Sequence, residues 1–330
     1  MKLLAVISVP LLMALACSAA DAAKPVVKKL GTIDCDMVET TPVAFRRRLY
    51  RFEYVRTNYK PNTTGVSYFR FIDVATGKPT PAFAKGYHLG SAHVEGDTVY
   101  AYGVKSWGAS EIAVFISNDL KKWRSETALS TPGWGIYNNS VCKGPNGYVM
   151  AIELGEPPDV VGVRFTMRFA ESKDLIHWKA TAEDQVFAKD RYTACPSIRF
   201  VDSYYYMIYL GERPGPSYVP CIVRSRDLIH WESGPYDPVL GFSDEDKKIA
   251  NPALTAEQRK HIAGSTNINN SDVDFCEYKG KTIIYYSWGN QQGIEFLAAA
   301  EYDGSLPQFL RSLFPGARSD RQEYGPSAAK

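Results

Sequence analysis

The chain has 330 residues, 38 basic and 36 acidic side chains, and a formal net charge of +2. That balance builds none of the basic field a phosphate backbone needs, so nucleic acid is excluded as an expected partner. With 45% apolar and 22% charged residues the chain is globular; the unusual figure is 13% aromatics, 21 of them Tyr, residues that favour strands and stack on flat apolar ligands.

The first 23 residues read as an export signal: Lys2, an apolar run from Leu3 to Ala16, then the small residues Ser18, Ala19 and Ala20. The run is too short for a bilayer span, which needs about 20 residues, and no later segment qualifies. A secreted or periplasmic location is expected. Cys17 after Ala14-Leu15-Ala16 is similar to a bacterial lipobox, which leaves a lipid anchor through Cys17 as the alternative to soluble export. Beyond this segment Cys35, Cys142, Cys195, Cys221 and Cys276 are odd in number. Their spacing fits neither a disulfide framework nor a CxxC metal site, so they read mainly as small buried apolar residues.

Further along, one motif recurs three times. Ser117-Asn118-Asp119-Leu120-Lys121-Lys122-Trp123 returns as Ser172-Lys173-Asp174-Leu175-Ile176-His177-Trp178, and again as Ser225-Arg226-Asp227-Leu228-Ile229-His230-Trp231. Each copy follows an apolar strand and reads as a tight turn whose Trp opens the next strand, so the three Trp are blade-packing residues and His177 and His230 belong to turns. Hairpins rich in aromatics precede or follow these copies at Pro42–Tyr54, Ser91–Tyr102, Ser140–Glu153, Pro196–Leu210 and Val273–Ser287. Five hairpins at a period near 50 residues predict an all-β, five-bladed β-propeller with blades at about 34–83, 84–132, 133–187, 188–240 and 265–317. Residues 243–264 depart from the repeat. They predict a short helical insertion between blades four and five, helical over Thr255–Ala263, whose acidic start at Asp244-Glu245-Asp246 reads as solvated rather than as a calcium site. The domain division is therefore a signal at 1–23, one propeller over 24–317 and a disordered tail at 318–330.

The hairpin Cys195-Pro196-Ser197-Ile198-Arg199-Phe200 with Tyr204-Tyr205-Tyr206, and the S-x-D-L-x-x-W turns, resemble the five-bladed propeller glycoside hydrolases of family 43 and its relatives in families 32, 62, 117 and 130. The resemblance implies that loops entering the first strand and leaving the second strand of each blade line a pocket. Here these are Asp34–Glu39, Tyr87-His88, Tyr137-Asn138-Asn139, Glu153–Glu156, Asp190-Arg191-Tyr192, Glu212-Arg213, Asn267–Asp274 and Trp288–Gln292. It also implies a carboxylate at the start of particular inner strands. The aligned slots hold Thr41, Leu89, Asn138, Cys195 and roughly Ser271, so the family's acid–base set does not carry over position by position.

Four acids are the candidate catalytic residues. Asp36 is nearest the base position of the related enzymes. Asp272, two residues before Asp274, is expected to share one strand face with it by the two-residue period, Asp274 being a sugar-binding or structural partner. Glu153 and Glu212 end the apolar second strands of consecutive blades. For substrate binding the candidates are His88, Tyr137, Asn138, Asn139, Arg191, Tyr192, Asp274, Trp288, Asn290 and Gln291, with Trp288 as a sugar platform beside amides. No phosphate loop, HExxH or G-x-S-x-G is present, and no cofactor or metal is expected. The implied activity is hydrolysis of a glycosidic bond in plant or algal polysaccharide fragments, exo-acting and inverting, on a pentofuranose, xylose or anhydrogalactose unit. The alternatives are a non-catalytic glycan-binding propeller and a polysaccharide lyase using Tyr192 with Arg191.

Overall fold

The computed structural model describes residues 24–56, 67–215 and 217–315; the expected export signal and tail lie outside the described residues. In chain order the strands are β1 (Lys28–Cys35), β2 (Thr41–Phe45), β3 (Arg48–Arg56), β4 (Ser67–Asp73), β5 (Lys78–Pro79), β6 (His88–Glu95), β7 (Thr98–Val104), β8 (Glu111–Ser117), β9 (Arg124–Ser130), β10 (Gly135–Gly144) and β11 (Gly147–Glu156). Helix α1 (Pro158–Val161) precedes β12 (Thr166–Ser172), β13 (Trp178–Ala180), β14 (Val186–Phe187), β15 (Thr193–Val201), β16 (Tyr204–Arg213), β17 (Ser217–Ser225) and β18 (Trp231–Ser233). A 3-10 turn at Asp244–Lys247 and helix α2 (Ala256–Gly264) then lead to β19 (Asn269–Tyr278), β20 (Lys281–Gly289), β21 (Glu295–Tyr302) and α3 (Leu306–Ser312).

Among the described residues these strands form five antiparallel sheets, ordered β2-β3-β4-β5, β6-β7-β8-β9, β10-β11-β12-β13, β15-β16-β17-β18 and β19-β20-β21-β1. This is the expected five-bladed propeller with its helical insertion between blades four and five. The repeated turn explains itself chemically. Ser117 Oγ accepts from the Leu120 amide at 2.9 Å, and Asp119 Oδ1 accepts from the Lys121 and Lys122 amides at 2.8 Å each. The same bonds recur around Ser172 and Ser225. Leu120, Leu175 and Leu228 hold φ of 60°, 66° and 65°, a strained region for a leucine, yet each is buried. Apolar burial outweighs the backbone strain there. Trp123 stacks on Phe83 at 3.8 Å, and Trp231 on Phe169 at 5.7 Å, as blade-packing residues should.

The first blade differs from its expected boundaries. Residues 34–36 are not its lead-in, because β1 crosses to the last blade and pairs with β21 as that sheet's outer strand. With the last blade's outer strand taken from the start of the chain, the ring is closed by both ends of the chain, and only short outer edges remain on the blades. Gly31 is required in this seam: it sits at φ +108°, and a Cβ there would stand 2.3 Å from the Lys248 carbonyl oxygen.

Asp246 corrects the reading of the acidic turn as solvated. It is fully buried. Its carboxylate takes Lys29 Nζ at 2.5 Å, the Tyr286 hydroxyl at 2.7 Å, Asn267 Nδ2 at 2.8 Å and the Ser243 amide at 2.9 Å. Its carbonyl accepts from Thr32 Oγ1 at 2.6 Å, and Thr32 in turn accepts from Trp288 Nε1 at 2.8 Å. The insertion is thus the clasp that fixes the closing strand.

Toward the axis, hydroxyls on neighbouring inner strands join blade to blade. Ser91 Oγ donates to Asn139 at 2.6 Å, the Ile198 amide donates to Ser140 Oγ at 3.1 Å, and Ser197 Oγ donates to the Val273 carbonyl at 2.6 Å. Two residues before each of these rungs the strand enters the mouth of the channel.

Candidate active site

Inner strands β6, β10, β15 and β19 each carry a register shift at that mouth: between His88 and Ser91, Ile136 and Asn139, Ala194 and Ser197, and Ser271 and Asp274. A bulge adds an unpaired residue and re-aims a side chain. Leu89, Cys195 and Asp272 take φ of 52°, 48° and 50° in these bulges, and Glu39, just before β2, takes 54°. Together with Asn138 they are the five equivalent positions, each two residues before Thr41, Ser91, Ser140, Ser197 or Asp274. The slots in blades one and five therefore hold Glu39 and Asp272, not Thr41 and Ser271. The repeated hydroxyl or carboxylate two residues downstream is the sequence signal that would have aligned them.

These residues open onto a cavity of about 190 Å³. One wall is aromatic, made by Trp107, Tyr137, Phe165 and Tyr192; the Tyr137 and Phe165 ring centroids are 4.8 Å apart. The other is acidic, with Glu39, Glu153, Asp272 and Glu295. Glu153, 3% exposed, accepts through Oε2 from the Cys195 amide at 2.6 Å and Asn138 Nδ2 at 3.0 Å. Burial pushes its carboxyl up to about 7, against those two hydrogen bonds. Burial likewise pushes Glu39 up to about 8, with Asp272 and Glu153 adding like charge and Arg56 opposing. Glu295 is raised to about 8 by burial and the Asp272 charge, although the Gln291 amide donates to its Oε1 at 2.6 Å. Asp272 accepts from the Ser271 hydroxyl at 2.5 Å. Carboxylate oxygens of Glu39 and Asp272 and the Cys195 sulfur all lie within 4.8 Å of one another.

These raised carboxyls give a stability prediction. A carboxyl whose folded pKa lies above its unfolded value favours folding fully at low pH and loses that contribution as pH rises to the folded pKa. The melting temperature should therefore fall between about pH 4.5 and 8 from this source. Glu39→Gln or Glu295→Gln should flatten that slope in thermal melts across the range, whereas an unchanged slope in both would refute the assignment.

The structure brings together Glu153, Asp272, Tyr137, Asn138, Tyr192 and Gln291 of the expected residues. It disperses the rest. Asp36 is exposed beside the cavity, its amide tied to the Glu295 carbonyl at 2.9 Å, and Glu39 stands in the slot assigned to it. Glu212 is exposed on a separate groove with Arg191 and Arg213. The β16 residue matching Glu153 is Tyr209, since both lie between corresponding ladder pairs; Glu212 is three residues beyond. Asp274 does not share a face with Asp272, because the bulge breaks the two-residue period; it pairs with Arg199 at 2.6 Å. Asn139 is a buried inter-blade rung. His88 is engaged at both ring nitrogens, by the Tyr54 hydroxyl at 2.7 Å and Ser67 Oγ at 3.3 Å.

Trp288 is no sugar platform: it is fully buried, stacked on Phe296 at 4.4 Å. Asn290 spends its side-chain oxygen on the amides of Gln292 and Ile294 within its own loop. Arg191 is exposed and pairs with Asp190 at 3.1 Å, and burial raises the Tyr192 phenol far above its usual range. That pair is therefore ill-suited to the base and charge-neutralising roles of a lyase. Glu295 and Trp107 were not anticipated in the site, while Glu39 was expected only as the end of the Asp34–Glu39 rim and Cys195 only as the occupant of an aligned slot.

No known family profile matches the chain, and no curated protein does. Solved structures do. A glycoside hydrolase aligns with TM-score 0.56 at 14% identity, over 83% of this chain and 92% of its own. The family 43 endo-arabinanase from Bacillus licheniformis aligns with TM-score 0.51 at 11% identity, over 82% and 96%. An N-acetylgalactosamine deacetylase from F. plautii aligns with TM-score 0.55 at 12% identity, over 89% and 96%. At such identities the likeness is one of fold: the chain shares the five-bladed propeller of glycoside hydrolases of the family 43 kind, on which another sugar chemistry is also built.

Proposed function

We propose that the protein is a glycoside hydrolase whose reaction takes place in the acidic cavity at the mouth of the propeller. The observation that carries this reading is Glu153, a buried carboxyl raised to about 7, which lines one aromatic-walled cavity together with the Glu39–Asp272 pair. Such hydrolysis needs one carboxyl that donates a proton to the leaving oxygen and another that activates water. Glu153 takes the acid role, since burial lets it keep a proton near neutrality and its two hydrogen bonds fix its direction. Asp272, backed by Glu39, stands on the water side. Inversion is the proposed outcome; the Cys195 amide holds the acid, and the Cys195 sulfur lies within 4.8 Å of the Glu39 and Asp272 oxygens. A cavity of about 190 Å³ is smaller than the roughly 300–1,000 Å³ of drug-sized sites and suits one sugar ring, which supports exo action at a chain end. Plant or algal polysaccharide fragments, met outside the cytoplasm after export through the leader or at a Cys17 lipid anchor, are the proposed substrates.

The test is a panel of plant and algal oligosaccharides incubated with the protein, with products resolved by mass spectrometry and the released anomer read by NMR. A terminal sugar gained with one water, of inverted configuration, is expected. An unsaturated product would mean a lyase, and binding without turnover would mean a glycan-binding module. Because Glu153 must be protonated to act as the acid, kcat should fall as pH rises through about 7. A flat profile from pH 6 to 9 would remove Glu153 from that role.

A further inference from the structure

The geometry points to a second property of the same cavity: we propose that Glu39, Cys195 and Asp272 bind one divalent cation of the zinc class. The three residues come from blades one, four and five, and each occupies the equivalent left-handed position at the channel mouth. Their donor atoms, two carboxylate oxygens and a thiol sulfur, converge within 4.8 Å of one another. That is compatible with a common ion at about 2.0–2.3 Å from each.

Two further atoms mark the cavity as short of a positive partner. Glu39 Oε2 is sealed from water and has no hydrogen-bond partner, and Glu295 Oε2 is in the same condition on a side chain 3% exposed in the same cavity. Buried polar atoms without partners are rare and are accounted for by strain, catalysis or an absent water or ion. A sugar hydroxyl satisfies a carboxylate well but adds little to the Cys195 sulfur, whose contact with Asn138 Nδ2 is a long one at 3.5 Å. A soft cation satisfies all three at once.

The donor set selects the metal. Calcium takes 6–8 oxygen ligands, and magnesium keeps most of its waters. A thiolate with two carboxylates suits zinc or cobalt(II) instead. With three protein ligands, a bound ion would keep a fourth tetrahedral position for water, as catalytic zinc sites do. Binding takes Cys195 as thiolate, its proton leaving to solvent, so no oxidant or reductant is involved. The sequence gives no sign of such a site, because its ligands are separated by 156 and 77 residues.

The site itself is tested without any sugar. Chelator-treated protein is titrated with zinc chloride by calorimetry, and with cobalt(II) chloride by absorption spectroscopy. One saturable site is expected, with a thiolate-to-cobalt charge-transfer band. Cys195→Ser should abolish that band and weaken zinc binding by about 100-fold or more, and its melting curve in chelator should match the wild type, showing that the fold is intact. Absence of saturable zinc binding, binding that survives Cys195→Ser, or a response to calcium alone would each overturn the site. A catalytic place for the ion rests on the hydrolase reading, and the two fail separately. Zinc binding without sugar turnover removes the hydrolase and keeps the metal site; turnover by protein that binds no zinc does the reverse.

Discussion

Glu153→Gln should lower kcat by about 10²–10⁴-fold, the range of a positioned general acid. The substitution keeps the shape of the side chain, and its amide oxygen can still accept from the Cys195 amide and Asn138, so the fold should persist. What disappears is the transferable proton. The loss should be greatest for sugars with poor leaving groups and smallest for aryl glycosides, whose leaving oxygen needs little protonation. Comparing the two substrates in one variant separates an acid from a binding residue, which would lose both equally. Equal loss on both would move Glu153 to a binding role, and the acid to Glu39 or Asp272.

The second large effect concerns stability. Asp246→Ala should destabilise the protein by about 3–5 kcal/mol, the usual result of removing one member of a buried ion pair. For a domain of this size that is about 2–4 °C in Tm per kcal/mol. Lys29 keeps only 10% of its side chain exposed and is left without its carboxylate, while Tyr286, Asn267 and the Ser243 amide lose their acceptor. These groups hold the closing strand to the insertion, so protease cleavage near β1 should rise with the loss of Tm. Burial alone would raise the Asp246 pKa, but the hydrogen bond and charge of Lys29 and the bond from Tyr286 hold it below the ordinary carboxylate value. Its contribution is therefore present above about pH 4 and lost as pH falls through the folded pKa. The cavity carboxyls act in the opposite direction at higher pH. A scan of Tm from pH 3 to 9 should show both limbs, the acid one missing in Asp246→Ala; an Asp246→Ala variant within 1 kcal/mol of wild type would refute the clasp.

The placement of the closing strand and of the cavity carboxyls follows from contacts between distant blades. The S-x-D-L-x-x-W turns needed no tertiary information: Ser and Asp side chains cap backbone amides two and three residues away, and such local chemistry is written directly in the sequence. Aromatic second strands and the Thr255-capped helix were legible for the same reason, since period and capping act over a few residues. From these came the number of blades, the all-β class and the helical insertion.

The site was legible only in part. Glu153 and Asp272 stood out because an acid at the end or start of an apolar strand is costly unless it is used. Glu39 was displaced by Asp36 because a slip of a few residues cannot be seen in an exposed lead-in, and Trp288 passed for a platform because sequence does not show which face of a loop is covered. The sequence by itself determined the repeated turns, the alternating strands and hence the propeller, all products of interactions between near neighbours. The closing strand and the convergence of Glu39, Glu153, Cys195 and Asp272 were decided only by the tertiary structure. Ring closure pairs residues as far apart as Lys28 and Glu301, and inner-strand bulges bring Glu39 beside Asp272, proximities that no local pattern encodes.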